Sequence, residues 1–412
     1  MTDWAALTAR TLAGIETCAP IYRPTNFWGP GVRRLLGDLE TNGLETFKSW
    51  STAGTWFYPT YGQGFTHETI ETTFDAAVKV NPTVGKAWFS TALTGAYQAR
   101  RDFDAARLAW DQSRWPFDLE CFGESQLGRP QQFFRLLESD RTIGWTRPYL
   151  NYLLCLAALS RHVDAPPKAF VEIGGGYGVL GEIVMSRDPE ARYVNLDLPP
   201  LITVSAFYLD ALFGDRMVAY DDAIPDSGPL DLSASASLPN WRMPDLGGSF
   251  DVFVNSFSFQ EMEPDVVEQY AAQVAAKDVA YVVSMNSRAG KHVAADGNEI
   301  GVIEPVTSGR IVEMFQAHGY GLLGRYGDPL IQSSGELVVL RRDGKTARPE
   351  TTLAARPASP STDYRAAPAT VPPRPAPAAS TNAAARFARD WLPPRLLRAA
   401  RRLRARGRAR PR

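Results

Sequence analysis

The sequence predicts an α/β fold in which a mostly parallel β-sheet follows a mainly helical domain. Between residues 162 and 342, short runs rich in Val, Ile, Phe and Tyr alternate with helical patterns, as successive βαβ units require. Residues 1–160 instead show recurring helical periodicity, and they contain eight of the ten tryptophans. This first region is therefore predicted to form helices around an aromatic interior.

Each element of the predicted sheet follows from a local pattern. Five strands are predicted in "AFVEIGG", "ARYVNLDL", "RMVAYDD", "FDVFVNSFS" and "VAYVVSMNS", and helices over 178–187, 199–213, 264–276 and 307–318. The last two apolar segments, "YGLLGRYG" and "GELVVLRRD", are separated by too few residues for a crossover helix. They are predicted to form an antiparallel hairpin at the edge of the sheet.

Periodicity and composition predict three regions: a helical accessory domain over 1–160, the α/β domain over 161–342, and a disordered Ala/Pro/Arg-rich tail over 343–412. Residues 386–412 contain eleven Arg and one Asp, so the tail is strongly basic while the rest of the chain is acidic. A basic amphipathic segment predicts peripheral contact with an anionic membrane. Nucleic-acid binding and a merely solvated tail are the alternatives, and no specific nucleic acid is expected.

Several classes of protein receive no support from the sequence. No run approaches the roughly 18 consecutive apolar residues of a membrane span, and the first residues lack a signal-peptide pattern, which predicts a cytoplasmic protein. The three cysteines are isolated, which argues against a disulfide framework and a zinc cage. No His/Asp/Glu cluster has metal-ligand spacing, so no metal is expected, although oxygen ligands from Asp221, Asp222 or Asp251 remain an alternative. No G-x-S-x-G motif indicates a serine hydrolase.

The segment "FVEIGGGYGVLGEIV", residues 170–184, predicts a strand that turns through a glycine loop into a helix. Gly176, Gly178 and Gly181 satisfy G-x-G-x-x-G, while Glu172, Gly174, Gly176 and Gly178 satisfy acid-x-G-x-G-x-G. Both patterns put glycines where a side chain would keep a ligand away from the backbone. The loop therefore predicts a nucleotide or nucleoside cofactor, with a ligand-free turn as the alternative.

An acidic residue about 20 positions after the loop strengthens this prediction. Asp197 ends the second strand, where a carboxylate can hold ribose hydroxyls, and Leu198 follows it as a further expected cofactor contact. Glu172 would oppose the pyrophosphate of a dinucleotide but favour the ammonium and sulfonium of S-adenosylmethionine. The sequence thus favours S-adenosylmethionine over NAD.

Polar residues after the fourth and fifth strands are the candidates for chemistry. Asn255 ends the fourth strand and is expected to contact the cofactor, because ligands bind beyond the carboxyl ends of parallel strands. Methyl transfer to an alcohol needs a group that accepts the hydroxyl proton, and Glu261 and His292 are the two candidates. Alternatively, Glu261 caps the following helix and His292 is a solvated loop residue.

Aromatic residues near these strand ends have two interpretations. The rings of Tyr177, Phe257 and Phe259 could face a sulfonium, or they could simply pack in the core.

Four motifs together carry a family resemblance over residues 20–342. "FVEIGGGYGVLGEIV", "YVNLDLPPLITVSAFYL" and "FDVFVNSFSFQEM", with an upstream "TNFWGPGV" followed by "GLETFKSW", resemble the sugar O-methyltransferase family of bacterial polysaccharide and glycan biosynthesis clusters. The antiparallel terminal strand likewise resembles the class I methyltransferase fold, whose sheet is Rossmann-like.

This resemblance implies S-adenosylmethionine-dependent methyl transfer to a sugar hydroxyl. A lipid-linked glycan is one candidate acceptor, in keeping with the hypothesis that the basic tail contacts a membrane. The resemblance implies cofactor contacts at Glu172, Gly174, Gly176, Gly178 and Asp197, and it implies no catalytic residue. The N-terminal domain would then bind the acceptor on aromatic platforms such as Trp28, Trp56, Tyr58 or Tyr61. The alternatives are an NAD-linked oxidoreductase that uses the same loop and a non-catalytic scaffold with a methyltransferase fold.

Overall fold

The computed structural model describes residues 2–62, 67–83, 85, 93–137, 139–140, 142–218, 220, 224–225, 227–295, 300–327 and 335–344. The described residues divide into two compact units, one within 2–61 and 97–344 and one within 62–96. The first unit contains residues from both predicted domains, and the folding boundary at residue 160 stays a prediction. The predicted tail, apart from residues 343 and 344, lies outside the described residues.

The described helices include all four whose positions the sequence predicted, and their ends agree within two residues. They are α1 (Trp4–Thr17), α2 (Trp28–Asn42), α3 (Ala53–Trp56), α4 (His67–Val80), α5 (Ala96–Trp110), α6 (Arg147–Ser160), α7 (Val179–Arg187), α8 (Leu201–Phe213), α9 (Pro264–Ala276) and α10 (Ser308–Ala317). Helix α4 belongs to the second unit. Within the described residues, no helix combines the length and apolarity that a membrane span requires.

The strands form one eight-stranded sheet. They are β1 (Ala169–Ile173), β2 (Arg192–Asp197), β3 (Met217–Val218), β4 (Ser235–Pro239), β5 (Val252–Ser256), β6 (Tyr281–Ser287), β7 (Tyr320–Tyr326) and β8 (Gly335–Arg342). The sheet order is β3-β4-β2-β1-β5-β6-β8-β7. Neighbours from β3 to β6 are parallel, whereas β8 runs antiparallel to both β6 and β7. The predicted class I methyltransferase fold and its antiparallel terminal hairpin are confirmed by this topology.

The predicted third strand does not lie beside β2 as a full strand, and the sequence did not predict strand β4. The segment "RMVAYDD" contributes only the two residues of β3 at the sheet edge, and the neighbour of β2 is β4, with the sequence "SASLP". Ser, Ala and Pro have low strand propensity, so β4 carries no sequence signal. Its conformation comes from pairing with β2, which sets Asp197 opposite Pro239.

Both faces of the sheet are buried, which explains the apolar strand runs. Along β1, Phe170 and Glu172 face one side, and Val171 and Ile173 face the other, because side chains alternate along a strand. The Phe170 face packs into a hydrophobic cluster that includes α6, α7 and the aromatic residues of the N-terminal region. The predicted aromatic interior is present in this cluster, where Trp50 and Trp145 are fully buried.

Candidate active site

A cavity of about 230 Å³ lies at the carboxyl ends of the parallel strands. Its floor is formed by the glycine loop and by the residues that follow β2, β4 and β5. Its walls come from N-terminal residues between 21 and 59, from the first turns of α6, and from the loop after β6. The N-terminal region therefore covers the open end of the sheet within the same compact unit.

The glycine loop brings bare backbone to this cavity. Gly174 has a φ of 71°, and a Cβ there would come 2.3 Å from the Oγ of Ser258. Gly176 has a φ of 58°, and its N–H donates to Oδ2 of Asp197 at 2.8 Å. A side chain at either position would strain the backbone or displace a neighbour, so the loop needs glycine for its shape.

Asp197 lies at the end of β2 and lines the cavity together with Leu198. Its Oδ1 accepts from the N–H of Leu198 at 2.7 Å, so both carboxylate oxygens are held by backbone donors. Burial raises the pKa of Asp197 to about 7, although these two donors oppose the shift. Asp197 is thus a buried hydrogen-bond acceptor whose charge changes near neutral pH.

Asn240 is a cavity residue that the sequence did not reveal, because it follows the unpredicted strand β4. Its Nδ2 donates to the carbonyl of Tyr22 and to the hydroxyl of Tyr270, both at 2.9 Å. These two bonds fix the amide orientation, and they leave Oδ1 buried without a partner among the described residues. A buried acceptor without a donor is costly, which makes this atom a candidate ligand contact.

Glu172 does not line the cavity. It is fully buried beneath the loop, where its Oε1 accepts from the hydroxyl of Tyr152 at 2.5 Å and its Oε2 from that of Tyr193 at 2.6 Å. Burial raises the pKa of Glu172 to about 8 despite these donors, so the side chain is mainly protonated at neutral pH. The charge-based selection between cofactors that the sequence suggested therefore loses its basis.

Two other predicted cofactor residues also lie outside the cavity lining. Gly178 adopts a φ of 85° before α7, and a Cβ there would come 2.9 Å from Leu209, so it allows α7 and α8 to pack closely. Asn255 is fully buried, donates to the carbonyl of Ile173 at 2.9 Å, and accepts from the N–H of Phe259 at 3.1 Å. Its hydrogen bonds fasten β5 to β1.

The two candidate bases are placed differently. Glu261 lines the cavity, and its Oε1 accepts from Nζ of Lys291 at 2.7 Å. Burial raises the pKa of Glu261, while the Lys291 ammonium opposes that shift. His292 is exposed outside the cavity lining, with Nε2 2.5 Å from the carbonyl oxygen of Ile300. The structure thus pairs Glu261 with the lysine that immediately precedes His292.

The predicted aromatic platforms separate into lining and core residues. Trp28 and Trp56 line the cavity, with ring centroids 5.4 Å apart. Tyr58 and Tyr61 are buried outside it, where their hydroxyls donate to the carbonyl of Gln132 and to Asp102.

The three aromatic residues considered for a sulfonium also differ in their placement. Phe257 lines the cavity with a φ of 61°, an uncommon conformation for this residue type. Tyr177 is nearly fully buried at the edge of the cavity, and its hydroxyl donates to Glu124 at 3.0 Å. Phe259 packs in the core, stacked on Phe253 with centroids 5.8 Å apart.

Of the three alternative metal ligands, Asp251 is the one in the described part of the chain. Asp251 accepts from the N–H groups of Lys168 and Ala169, at the amino end of β1 and away from the cavity. Asp221 and Asp222 lie outside the described residues.

Among the comparisons with known proteins, only the search of solved structures found similar chains. No family model and no curated protein match the chain. The pyocyanin biosynthetic protein PhzM is 15% identical over 47% of this chain and 57% of that chain, with a TM-score of 0.32. The mitomycin 7-O-methyltransferase MmcR is 14% identical over 83% of this chain and 74% of its own, with a TM-score of 0.32.

Magnesium protoporphyrin IX methyltransferase from Synechocystis PCC 6803, solved with bound SAH, is 11% identical over 60% of this chain and 96% of its own, with a TM-score of 0.33. The match to PhzM spans only a little over half of the PhzM chain, 57% of it. At these identities and TM-scores, the similarities assign no activity to the chain.

Proposed function

We propose that the chain is an S-adenosylmethionine-dependent O-methyltransferase that acts on a sugar or sugar-like hydroxyl. The observation that carries the cofactor assignment is the pair of acceptors at neighbouring strand ends. Asp197 and Asn240 line the same cavity, one at the end of β2 and one after β4, and Oδ1 of Asn240 is a buried acceptor without a partner among the described residues. Adenosine presents matching donors, two ribose hydroxyls and one adenine amino group.

The glycine loop supports the same assignment. Gly174 and Gly176 line the same cavity and present backbone rather than side chains to it. The cofactor, when bound there, supplies an electrophilic methyl group for transfer to an acceptor oxygen. The antiparallel strand β8 favours this cofactor over NAD, because sheets that bind dinucleotides are usually parallel throughout.

Glu261 is the residue proposed to accept the proton of the acceptor hydroxyl. It lines the cavity, and Lys291 holds one of its oxygens at 2.7 Å, which orients the carboxyl group. Trp28 and Trp56 supply apolar ring faces in the same cavity, which suit the CH faces of a sugar. Contact of the basic tail with an anionic membrane remains a prediction from the sequence.

Calorimetric titration with S-adenosylhomocysteine and NAD tests the cofactor assignment. We expect S-adenosylhomocysteine to bind and Asp197→Asn to weaken it by about 10-fold or more, because charged hydrogen bonds to ribose are lost. Since the pKa of Asp197 is about 7, wild-type affinity should fall below pH 7 by up to about 10-fold per pH unit, and the variant should not show this dependence.

The exposed Asp215→Asn is the matched control and should bind as the wild type does. If the protein binds NAD and does not bind S-adenosylhomocysteine, the proposal is wrong and an NAD-linked oxidoreductase is favoured instead. If S-adenosylhomocysteine binds equally to wild type and Asp197→Asn, Asp197 does not hold the nucleoside.

Methyl incorporation from labelled S-adenosylmethionine into glycan extracted from the source cells tests the acceptor class. We expect Glu261→Gln to lower the rate about 100-fold or more, because a positioned base is lost, while affinity for S-adenosylhomocysteine stays unchanged. Glu190→Gln, at an exposed position, should retain full activity. Label in protein or nucleic acid instead of glycan would contradict the sugar acceptor, and full activity of Glu261→Gln would exclude it as the base.

A further inference from the structure

Arg147 is a cavity residue whose charge is not matched by any carboxylate in the described part of the chain. It is the first residue of α6, half-buried, and it lines the cavity with Gly174, Gly176 and Asn151. One terminal nitrogen donates to the carbonyl of Thr60 at 3.0 Å. Its guanidinium carbon also lies 5.4 Å from the ring centroid of Tyr61. No carboxylate pairs with it among the described residues, so most of its donors are available to a ligand.

The other charged groups in the cavity already have assignments. Asp197 is held by backbone N–H groups beside the proposed nucleoside site, and Glu261 and Lys291 form an ion pair. Arg23 is exposed, and it donates to the carbonyl of Glu16 at 3.0 Å. Among the described residues that line the cavity, Arg147 is therefore a half-buried cation without an anionic partner.

The sheet topology places Arg147 opposite the nucleoside contacts. Asp197 ends β2 and Asn240 follows β4, and both strands lie on one side of β1 in the sheet order. Helix α6 packs against α7, which follows the glycine loop, and against β6 and β8, on the other side of β1. A ligand with its nucleoside at Asp197 and its remaining part across the glycine loop would thus extend toward α6.

Helix α6 is fixed to the strand that carries the loop. The hydroxyl of Tyr152, on α6, donates to Glu172 of β1 at 2.5 Å, just before the glycine loop. The position of Arg147 relative to the loop is therefore set by a buried hydrogen bond as well as by helix packing.

We propose, on the basis of the function proposed above, that Arg147 binds the α-carboxylate of the cofactor's amino-acid moiety. A guanidinium can donate two parallel hydrogen bonds to a carboxylate, which gives both affinity and orientation. Arg147 then makes the site selective for adenosyl sulfur compounds that retain this carboxylate. Its role is in binding and orienting the donor, and the proton transfer stays with Glu261.

Two cofactor forms that differ only in the carboxylate test this role. S-adenosylmethionine and decarboxylated S-adenosylmethionine share the adenosine, the sulfonium and the ammonium. We expect Arg147→Met to weaken S-adenosylmethionine by about 10- to 100-fold in calorimetric titration, and to leave the decarboxylated compound within about 2-fold of wild type. Arg147→Lys should recover part of the lost affinity, because it retains a charge without the planar fork.

Arg161→Met, at the exposed carboxyl end of the same helix, is the matched control and should bind both compounds as wild type does. Equal weakening of both compounds by Arg147→Met, or no weakening of either, would overturn the assignment. If wild type binds neither compound, the proposed function fails along with it. Binding of both by wild type with no effect at Arg147 rejects the arginine alone. If Arg147→Met misfolds by circular dichroism, the Arg147→Lys comparison decides.

Discussion

Two buried polar clusters, each built around glutamate side chains or a single glutamate, lie beside the glycine loop, and they differ in whether a cation is present. The first, the Glu172 cluster, consists of Glu172, Tyr152 and Tyr193. The second, the Lys48 cluster, consists of Lys48, Glu124, Glu182 and Tyr208. The Glu172 cluster lies under Gly175, and the Lys48 cluster contacts the ring of Tyr177, 4.8 Å from the lysine nitrogen.

The Lys48 cluster contains one cation for two carboxyl groups. Nζ of Lys48 donates to Glu124 at 2.8 Å, and both side chains are fully inaccessible to solvent. Glu182 instead accepts from the hydroxyl of Tyr208 at 2.7 Å, and burial raises its pKa to about 8. One lysine thus forms an ion pair with one carboxylate, while the second carboxyl group holds a proton near neutral pH.

The Glu172 cluster has hydrogen-bond donors but no cation. Two phenol hydroxyls satisfy both oxygens of Glu172, yet burial still raises its pKa to about 8. Neutral donors alone therefore do not compensate for removing a carboxylate from water at this site. The comparison indicates that the Lys48 cluster contributes an ion pair to the fold, whereas the Glu172 cluster contributes hydrogen bonds between mainly neutral groups.

Replacing the buried cation should produce the larger effect. We expect Lys48→Met to lower the free energy of unfolding by about 3–5 kcal/mol, because Glu124 would be left buried without its partner. Urea denaturation followed by tryptophan fluorescence measures this change. The double variant Lys48→Met/Glu124→Gln should recover part of the loss, since it removes the unpaired charge as well.

Lys168→Met supplies the surface control for that measurement. Lys168 pairs with Asp188 and Glu190 while remaining 46% exposed, and its loss should cost less than about 1 kcal/mol. A loss below about 1 kcal/mol for Lys48→Met would show that the Lys48 cluster is not an important ion pair, and the contrast between the clusters would disappear.

The Glu172 cluster should have an effect that depends on pH and is smaller over any single pH unit. The folded-state pKa of Glu172, about 8, lies above its ordinary value of 4.5. Between these values the folded chain holds a proton that the unfolded chain has released, so stability falls as the pH rises. Glu172→Gln removes this contribution. Its unfolding free energy relative to wild type should rise by about 1 kcal/mol per pH unit between pH 5 and pH 8.

Urea denaturation of both proteins across this range measures the difference, with Glu190→Gln at an 81% exposed position as the control. Parallel pH profiles for wild type and Glu172→Gln would mean that Glu172 keeps its charge in the folded state. In that case the charge argument for the cofactor would regain its basis.

The sequence by itself determined the features that depend on neighbouring residues. The glycine loop, the apolar strands around it, Asp197 at the end of β2 and the terminal hairpin of β7 and β8 follow from local periodicity and connection length. Asp197 reaches the cavity because the carboxyl ends of parallel strands share one edge of the sheet. These predictions hold because each pattern is set by residues that are neighbours in the sequence, so contacts with distant residues have little influence on it.

Tertiary structure decided the features that depend on distant residues. Strand β4 and Asn240 were not predicted, because pairing with β2 overrides the low strand propensity of "SASLP". The protonation of Glu172 depends on its burial, which outweighs the hydrogen bonds that Tyr152 and Tyr193 donate from two separate elements. Lys291, rather than His292, faces Glu261, and Arg147 enters the cavity from a helix with no sequence signal for binding. The burial of ionisable side chains and the pairing of strands and charges arise only in the packed chain, because segments distant in sequence must come together to exclude water.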